Sequence, residues 1–146
     1  MNIRVSCIQL QPRLGDKEYN ISKMESYIKK TMSDYPDTKL IVLPELITSG
    51  YEGTANQFQD MAERLDSGES IKRIGALAAE YKVYIVYGFP ERDSVFNDIL
   101  YNSAVLIDKH GHPLGTYRKV HPFASEKMWC RAGCEYPVFN TDIGKL

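Results

Sequence analysis

One acidic residue directly follows a short apolar segment, and its position suits proton transfer. Residues 40–43 (Leu-Ile-Val-Leu) are typical of a strand buried in a sheet, and the rigid residue Pro44 connects this segment to Glu45. In open α/β sheets, ligands bind at the carboxyl ends of the strands, where a carboxylate can act as a general base. A glutamate after a strand is more often a surface residue that pairs with a cation. Both interpretations of Glu45 stay open on this pattern alone.

A lysine and a second glutamate form another candidate pair. Lys119 ends a predicted strand, a stiff and partly apolar turn follows at residues 121–123 (His-Pro-Phe), and Glu126 lies seven residues beyond Lys119. A lysine held between two carboxylates stays protonated and can stabilise a developing oxyanion. The ordinary alternative is a solvated lysine at the end of a strand.

The histidines and cysteines do not form a standard metal-binding pattern. His110 and His112 fall in a predicted turn, and Cys130 and Cys134 are spaced C-x-x-x-C. A composite zinc site built from these residues is conceivable, but it matches no common ligand spacing. We therefore predict no metal site and no cofactor.

The hydrophobic pattern predicts the elements that must position these side chains. Strands are predicted at 3–10, 39–43 and 83–88, and helices at 17–33, 56–65 and 69–81. An order in which strands alternate with helices argues for an α/β layer architecture. Residues 99–119 instead indicate an antiparallel hairpin with a turn at 109–112. We predict a mixed sheet with helices on one face.

Composition and charge exclude several classes of protein. The chain of 146 residues has 43% apolar residues, enough for the core of one domain, and 18 Lys and Arg against 19 Asp and Glu leave a net charge of -1. The positive charges are scattered, so we expect no nucleic-acid partner. Apolar runs are far shorter than the roughly 20 residues of a membrane helix. With no signal-peptide pattern and only three cysteines, we expect a cytoplasmic protein.

Several segments, in chain order, together resemble the nitrilase superfamily of carbon–nitrogen hydrolases. They are IQLQPRLGDKEYN near the N-terminus, LPEL at 43–46 with Gly50 and Tyr51, YGF at 87–89, LYNSAVLID with Gly111, and YRKVHPF with Glu126. Each segment alone is a weak signal, but the ordered set is specific and covers essentially the whole chain.

This resemblance implies an α-β-β-α sandwich and hydrolysis of nitriles or non-peptide amides through a thioester, using a Glu-Lys-Cys triad and often a second glutamate. By resemblance, Glu45 matches the general base, Lys119 the oxyanion-stabilising lysine and Glu126 the second glutamate, while Tyr51 lies near the substrate pocket. The implied partners are a small-molecule amide or nitrile and further copies of the chain. The chemistry agrees, because a thiol must lose its proton before it attacks carbon.

The nucleophile of that triad is missing from the sequence. In the family, the nucleophilic cysteine follows a segment like FNTDIGKL, and this sequence ends at Leu146 before reaching it. We expect Cys7 to be a small buried residue of the first strand and Cys130 to lie in a variable loop. Residues 1–146 are therefore predicted to be the N-terminal half of a carbon–nitrogen hydrolase domain, inactive alone.

Two other functions are compatible with the same residues. One is a catalytically inactive interaction module that keeps the nitrilase-like fold, and the other is an unrelated α/β protein that binds a small molecule. For the half-domain, we also expect an exposed inner sheet face and a free sheet edge, both of which promote association.

Overall fold

The computed structural model describes residues 2–146 and contains three α-helices and seven strands in that range. In chain order the elements are β1 (Arg4–Cys7), α1 (Lys17–Asp34), β2 (Thr38–Val42), α2 (Ala55–Met61), α3 (Glu69–Tyr81), β3 (Tyr84–Arg92), β4 (Leu100–Ile107), β5 (Pro113–Arg118), a 3₁₀ turn (Ala124–Met128), β6 (Asn140–Thr141) and β7 (Gly144–Lys145).

The first five strands form one mixed sheet in the order β1-β2-β3-β4-β5. The pairs β1–β2 and β2–β3 are parallel, while β3–β4 and β4–β5 are antiparallel. Parallel neighbours need a crossover connection, and α1 and α3 supply one each. Strands β6 and β7 form a separate two-stranded sheet. The predicted mixed α/β sheet is confirmed, and the antiparallel hairpin predicted over 99–119 corresponds to β4 and β5.

Helices α1 and α3 pack on one face of the sheet because their apolar residues recur every three or four positions. In α1 the side chains of Met24 and Ile28 are fully buried, and in α3 that of Ile74 is. They join Ile41 and Ile85 of the central strands in one hydrophobic core. The predicted apolar faces of both helices are therefore confirmed.

Ion pairs fix the two helices relative to each other at their exposed side. The guanidinium of Arg73 in α3 lies 2.7 Å from a carboxylate oxygen of Glu18 and 2.8 Å from one of Glu25, both in α1. The N-terminus of α1 is capped by Asp16, whose carboxylate accepts a hydrogen bond from the Tyr19 amide at 3.1 Å.

The opposite face of the sheet carries the alternate side chains and is only partly covered. Leu40, Tyr84 and Leu106 are buried there beneath Phe139, Ile143 and Leu146 of the C-terminal segment. Toward β1 the cover ends, and Val5 is 46% exposed. We call this surface the open face; besides Val5 it includes Cys7, Val42, Val86, Ala104 and Tyr117.

The prediction that Cys7 is a buried core residue is wrong. Cys7 is exposed, because its register partner in β2 is Val42 and both side chains point to the open face. A residue in an edge strand is buried only when that face is covered.

Three element ends differ from the predicted ones by three or four residues, and the others by at most one. β1 ends at Cys7, α2 ends at Met61, and β3 continues to Arg92 through Pro90. Proline is tolerated there because β2 ends at Val42, so at Pro90 no full strand lies on that side of β3. Beyond Val42, β3 bonds there only to the loop at residues 43–47 and to Glu63. No helix among the described residues is long and apolar enough to cross a membrane.

Candidate active site

Glu45 lies in a loop that is held against β3 just beyond the end of β2. The Gly88 amide donates to the Pro44 carbonyl at 3.1 Å, and the Ile47 amide donates to the Gly88 carbonyl at 3.0 Å. A Cβ on residue 88 would lie 2.5 Å from the Leu46 nitrogen and 2.7 Å from the Glu45 Cα, so only glycine permits this approach. Leu46 itself is fully buried and anchors the loop.

Lys119 follows β5 directly, at the end of the hairpin. Its amide donates to the Asn102 carbonyl in β4 at 2.8 Å, and its own carbonyl accepts a hydrogen bond from Gly133 at 2.9 Å. Both the backbone amide and the backbone carbonyl of Lys119 are therefore held by hydrogen bonds. The flexible part of Lys119 is its side chain, which is 26% exposed.

Glu126 belongs to the 3₁₀ turn and is the most buried of the predicted site residues, with a side chain only 2% exposed. The Phe123 amide donates a hydrogen bond to Oε2 of Glu126, which caps the turn. Trp129, just after the turn, stacks on Phe58 with ring centroids 3.9 Å apart. The sequence pattern did not predict this turn.

The structure brings Glu45, Lys119 and Glu126 together. Lys119 Nζ lies 2.7 Å from Oε1 of Glu45, and 3.0 Å and 2.9 Å from Oε1 and Oε2 of Glu126. Residues that are 74 positions apart in the sequence thus form one ion-paired cluster. We call these three side chains the carboxylate–lysine cluster.

Asn102 in β4 completes the cluster, and sequence reasoning missed it. Its Nδ2 donates to Oε1 of Glu45 and to Oε1 of Glu126, both at 2.7 Å, and the residue is 3% exposed. A signal was available: counting outward from the predicted turn at 109–112 places residue 102 opposite residue 119. The next residues of β4 on the same face, Ala104 and Leu106, are apolar, so a polar side chain at 102 opposite the lysine is distinctive.

The close contacts shift the pKa values of the buried members. Burial acts to lower the pKa of Lys119, but the hydrogen bonds to Glu45 and Glu126 outweigh it and raise the pKa above its usual range. Burial acts to raise the pKa of Glu126, but the donors Phe123, Lys119 and Asn102 outweigh it and lower the pKa. Lys119 is therefore a cation and Glu126 an anion at neutral pH.

Tyr51 lies beside the cluster. Lys119 Nζ is 5.9 Å from the centroid of the Tyr51 ring, within the range of a cation–π contact. Burial, and after it the charge of Glu126, raises the pKa of Tyr51. The phenol therefore stays protonated at neutral pH and can donate a hydrogen bond.

The three cysteines occupy different environments. Cys7 and Cys134 are exposed, whereas Cys130 is buried next to the cluster, and its amide donates to the Glu126 carbonyl at 2.9 Å. Burial raises the pKa of the Cys130 thiol. A thiol in that environment stays protonated and is a poor nucleophile.

No potential metal site occurs in residues 2–146, since no three His, Cys, Asp or Glu side chains there lie close enough to hold an ion. His110 and His112 instead stabilise their turn, where both backbone amides donate to Oδ1 of Asp108 at 2.8 and 2.9 Å.

A groove on the open face leads to the cluster. Its volume is about 330 Å³, and its lining includes Glu45, Gly88, Asn102, Tyr117 and Lys119. A larger cavity of about 890 Å³ lies at the opposite end of the sheet, beside Lys82 and Lys109, and contains none of the predicted site residues. We take the smaller groove as the candidate active site because the charged groups converge there.

Comparison with known proteins gives a consistent result. The model of a family described as carbon–nitrogen hydrolase matches residues 4–146. A probable nitrilase of Schizosaccharomyces pombe is 43% identical over 146 residues, which cover 100% of this chain and 53% of the relative. An omega-amidase of Saccharomyces cerevisiae is 34% identical over 125 residues, which cover 83% of this chain and 42% of the relative.

A solved structure supports the same relationship. The crystal structure of Nit3 from Saccharomyces cerevisiae, described as a member of branch 10 of the nitrilase superfamily, superposes with a TM-score of 0.86 at 30% identity. The match covers 98% of this chain and 53% of that one. The chain thus spans about half the length of the relatives it matches.

Proposed function

Because the chain belongs to the carbon–nitrogen hydrolase family, we propose that it supplies the base and the lysine for hydrolysis of an amide or nitrile. Glu45 is the general base, Lys119 stabilises the negative charge that develops on the substrate, and Glu126 supports both. Tyr51 contacts the substrate. The thiol that attacks carbon comes from outside residues 1–146, so residues 1–146 are the N-terminal portion of the catalytic domain.

This proposal rests on one observation: the two glutamates differ in which of their carboxylate oxygens accept hydrogen bonds. Both oxygens of Glu126 accept hydrogen bonds, from Lys119 and Asn102 at Oε1 and from Phe123 at Oε2. Glu45 accepts bonds from Lys119 and Asn102 at Oε1 only, and no donor among residues 2–146 bonds its Oε2. Since the Glu45 side chain is 46% exposed and that of Glu126 is 2% exposed, only Glu45 can take a proton from an incoming group.

This geometry supports the following roles for the site residues. Oε2 of Glu45 accepts the thiol proton, and the resulting thiolate attacks the carbonyl carbon of an amide. The charge that develops on oxygen meets the Lys119 ammonium, which its two carboxylate partners keep protonated. Return of the proton to nitrogen releases ammonia and leaves a thioester. Water, deprotonated by the same carboxylate, then attacks the thioester, which releases the acid and the thiol.

None of the three cysteines of the chain suits the nucleophilic step. Cys7 lies on β1, Cys134 is exposed beyond the 3₁₀ turn, and neither lines the groove. Cys130 is near the cluster, but its burial favours the neutral thiol.

Ammonia release by the purified 146-residue chain tests this part of the proposal. We expect no release above the buffer blank from a series of nitriles and primary amides, because no thiol reaches the free oxygen of Glu45. Release that disappears in Cys130→Ser would make Cys130 the nucleophile and contradict the proposal.

A second candidate function is a nitrilase-like interaction module without catalytic activity. The observation in its favour is that no cysteine lines the groove beside Glu45 and Lys119. The coding sequence beyond Leu146 distinguishes the two candidates. A cysteine in the next strand supports the hydrolase, and a stop codon supports the module.

The same proposal extends to substrate, assembly and location. A groove of about 330 Å³ suits a small-molecule amide or nitrile. The exposed part of the open face supports self-association into a homo-oligomer. Three free cysteines support a reducing, cytoplasmic environment, which alkylation of the protein in cell lysates would test.

A further inference from the structure

The side-chain amide of Asn102 lies at the centre of the candidate active site, although it has no charge and no place in the chemistry proposed above. Its nitrogen is 2.7 Å from one oxygen of Glu45 and 2.7 Å from one oxygen of Glu126. A primary amide has two N–H donors, and here each is directed at a different carboxylate.

The same two oxygens also accept from Lys119. Oε1 of Glu45 is 2.7 Å and Oε1 of Glu126 is 3.0 Å from Lys119 Nζ. Two nitrogens and two oxygens thus form a closed ring in which donors and acceptors alternate. The ring fixes the orientation of the amide, because the reversed amide would direct its carbonyl oxygen at two carboxylates.

Burial makes these contacts stronger than surface hydrogen bonds. Asn102 is 3% exposed, and it lies on β4, an interior strand of the sheet, with its backbone carbonyl bonded to the Lys119 amide. Hydrogen bonds to a charged group in such a place contribute more than those between neutral groups. Asn102 also sits on rigid β4, whereas Glu45 and Glu126 come from a loop and a turn.

From this arrangement we infer that Asn102 is a positioning residue: it ties one oxygen of Glu45 and one of Glu126 to β4 and leaves Oε2 of Glu45 as the oxygen that accepts a proton. This inference rests on the proposed role of Glu45. Its consequence is that Asn102 orients the base without contacting the reacting atoms.

The test compares Asn102→Leu with a matched variant of another buried asparagine, Asn20→Leu. Asn20 is 1% exposed, and its Nδ2 donates to the carbonyls of Arg13 and of Thr48 in the Glu45 loop, but it bonds no member of the carboxylate–lysine cluster. Carboxyl ¹³C resonances of the 146-residue chain give the titration midpoint of Glu126, and ¹³C relaxation gives the order parameter of the Glu45 side chain. The ionisable groups facing Glu126 are Lys119, Glu45, Tyr51 and Cys130.

In Asn102→Leu we expect the Glu126 midpoint to rise by about one pH unit, since a donor to its charged form is lost. The Glu45 order parameter should fall in the same variant. The Glu126 midpoint should stay unchanged in Asn20→Leu, even though that variant also loses a buried hydrogen-bonding group. An unchanged Glu126 midpoint or Glu45 order parameter in folded Asn102→Leu would overturn the inference.

Asn102→Asp covers the case in which the leucine variant does not fold. It preserves the shape of the side chain but places a third carboxyl group among two carboxylates, so we expect one of the three to stay protonated well above the ordinary glutamate range. Ordinary midpoints for all three would overturn the inference. Neither titration needs a substrate or a thiol, so failure here leaves the role of Glu45 to be decided by ammonia release.

Discussion

Two glutamates share one lysine in this protein, and their surroundings give them different properties. Glu126 is enclosed and accepts hydrogen bonds at both oxygens, whereas Glu45 faces the groove with one oxygen free among the described contacts. Identical side chains thus acquire different capacities from burial and donor placement alone. Lys119 keeps its charge throughout the neutral range because its raised pKa delays deprotonation as the pH rises.

The lowered pKa of Glu126 predicts an acid-dependent stability. A carboxyl group whose pKa is lower in the folded state stabilises the fold above its unfolded value of 4.5, and this contribution is lost as the pH falls below it. We expect Glu126→Gln to lose about 2 kcal/mol of unfolding free energy at pH 6, where Lys119 loses a charged partner. When the pH is lowered from 6 to 3, the unfolding free energy of Glu126→Gln should therefore fall by less than that of the parent chain.

Urea denaturation at the two pH values measures this effect, with Glu135→Gln as the control. Glu135 is exposed, and no hydrogen bond or ion pair of its side chain occurs within residues 2–146, so its replacement should change neither value. If the unfolding free energy of the parent chain and of Glu126→Gln changed equally between the two pH values, the cluster would not be what keeps Glu126 ionised.

The secondary-structure elements were largely predictable, because long segments with a clear hydrophobic period were recognised correctly. Helix α3 was predicted over 69–81 and found at Glu69–Tyr81, and α1 differs by one residue. The continuation of β3 through Pro90 was missed, since proline normally interrupts a paired strand. The 3₁₀ turn around Glu126 was missed because it depends on a hydrogen bond within the turn rather than on a periodic pattern.

The site was only partly predictable, because part of it depends on contacts between segments that are distant in the sequence. Glu45 and Lys119 stand at predicted strand ends, where ligands bind in open α/β sheets, and the structure brings both together with Glu126. Asn102 lies within a strand, next to a second polar residue, Ser103, and only the hairpin register places it opposite Lys119. The loop geometry at Gly88 could not be predicted, because it follows from close packing between two segments distant in sequence.

The open face of the sheet predicts self-association of the chain. Val5 is 46% exposed on edge strand β1, and half-buried apolar side chains continue from it across the sheet. Exposed edge strands and apolar patches promote pairing between copies. We expect sedimentation velocity to show dimers or larger species that increase with protein concentration.

Lysine substitutions locate the surface responsible. Val5→Lys, on the open face, should shift the chain toward monomer, whereas Val95→Lys, in the exposed loop after β3, should not. A parent chain that is monodisperse, monomeric and unfolds cooperatively would contradict the prediction.

Considered as a whole molecule, the protein presents a charged cluster at one end of an incompletely covered sheet. Glu45, Asn102 and Lys119 all line the groove on the open face, so whatever packs against that face also meets the free oxygen of Glu45. The relatives that the chain matches are about twice its length. The central claim is that a thiol delivered to this face completes the catalytic group.

Ammonia release from a chimeric enzyme tests that claim most directly. In the omega-amidase of Saccharomyces cerevisiae, the matching segment is replaced by this chain, so that the rest of the amidase covers the open face. We predict that the folded chimera releases ammonia from an amide and that Glu45→Gln lowers the rate by about 100-fold or more. Glu52→Gln, an exposed glutamate of the same loop, should not change it. A folded chimera that is inactive, or whose rate Glu45→Gln leaves unchanged, would contradict the claim.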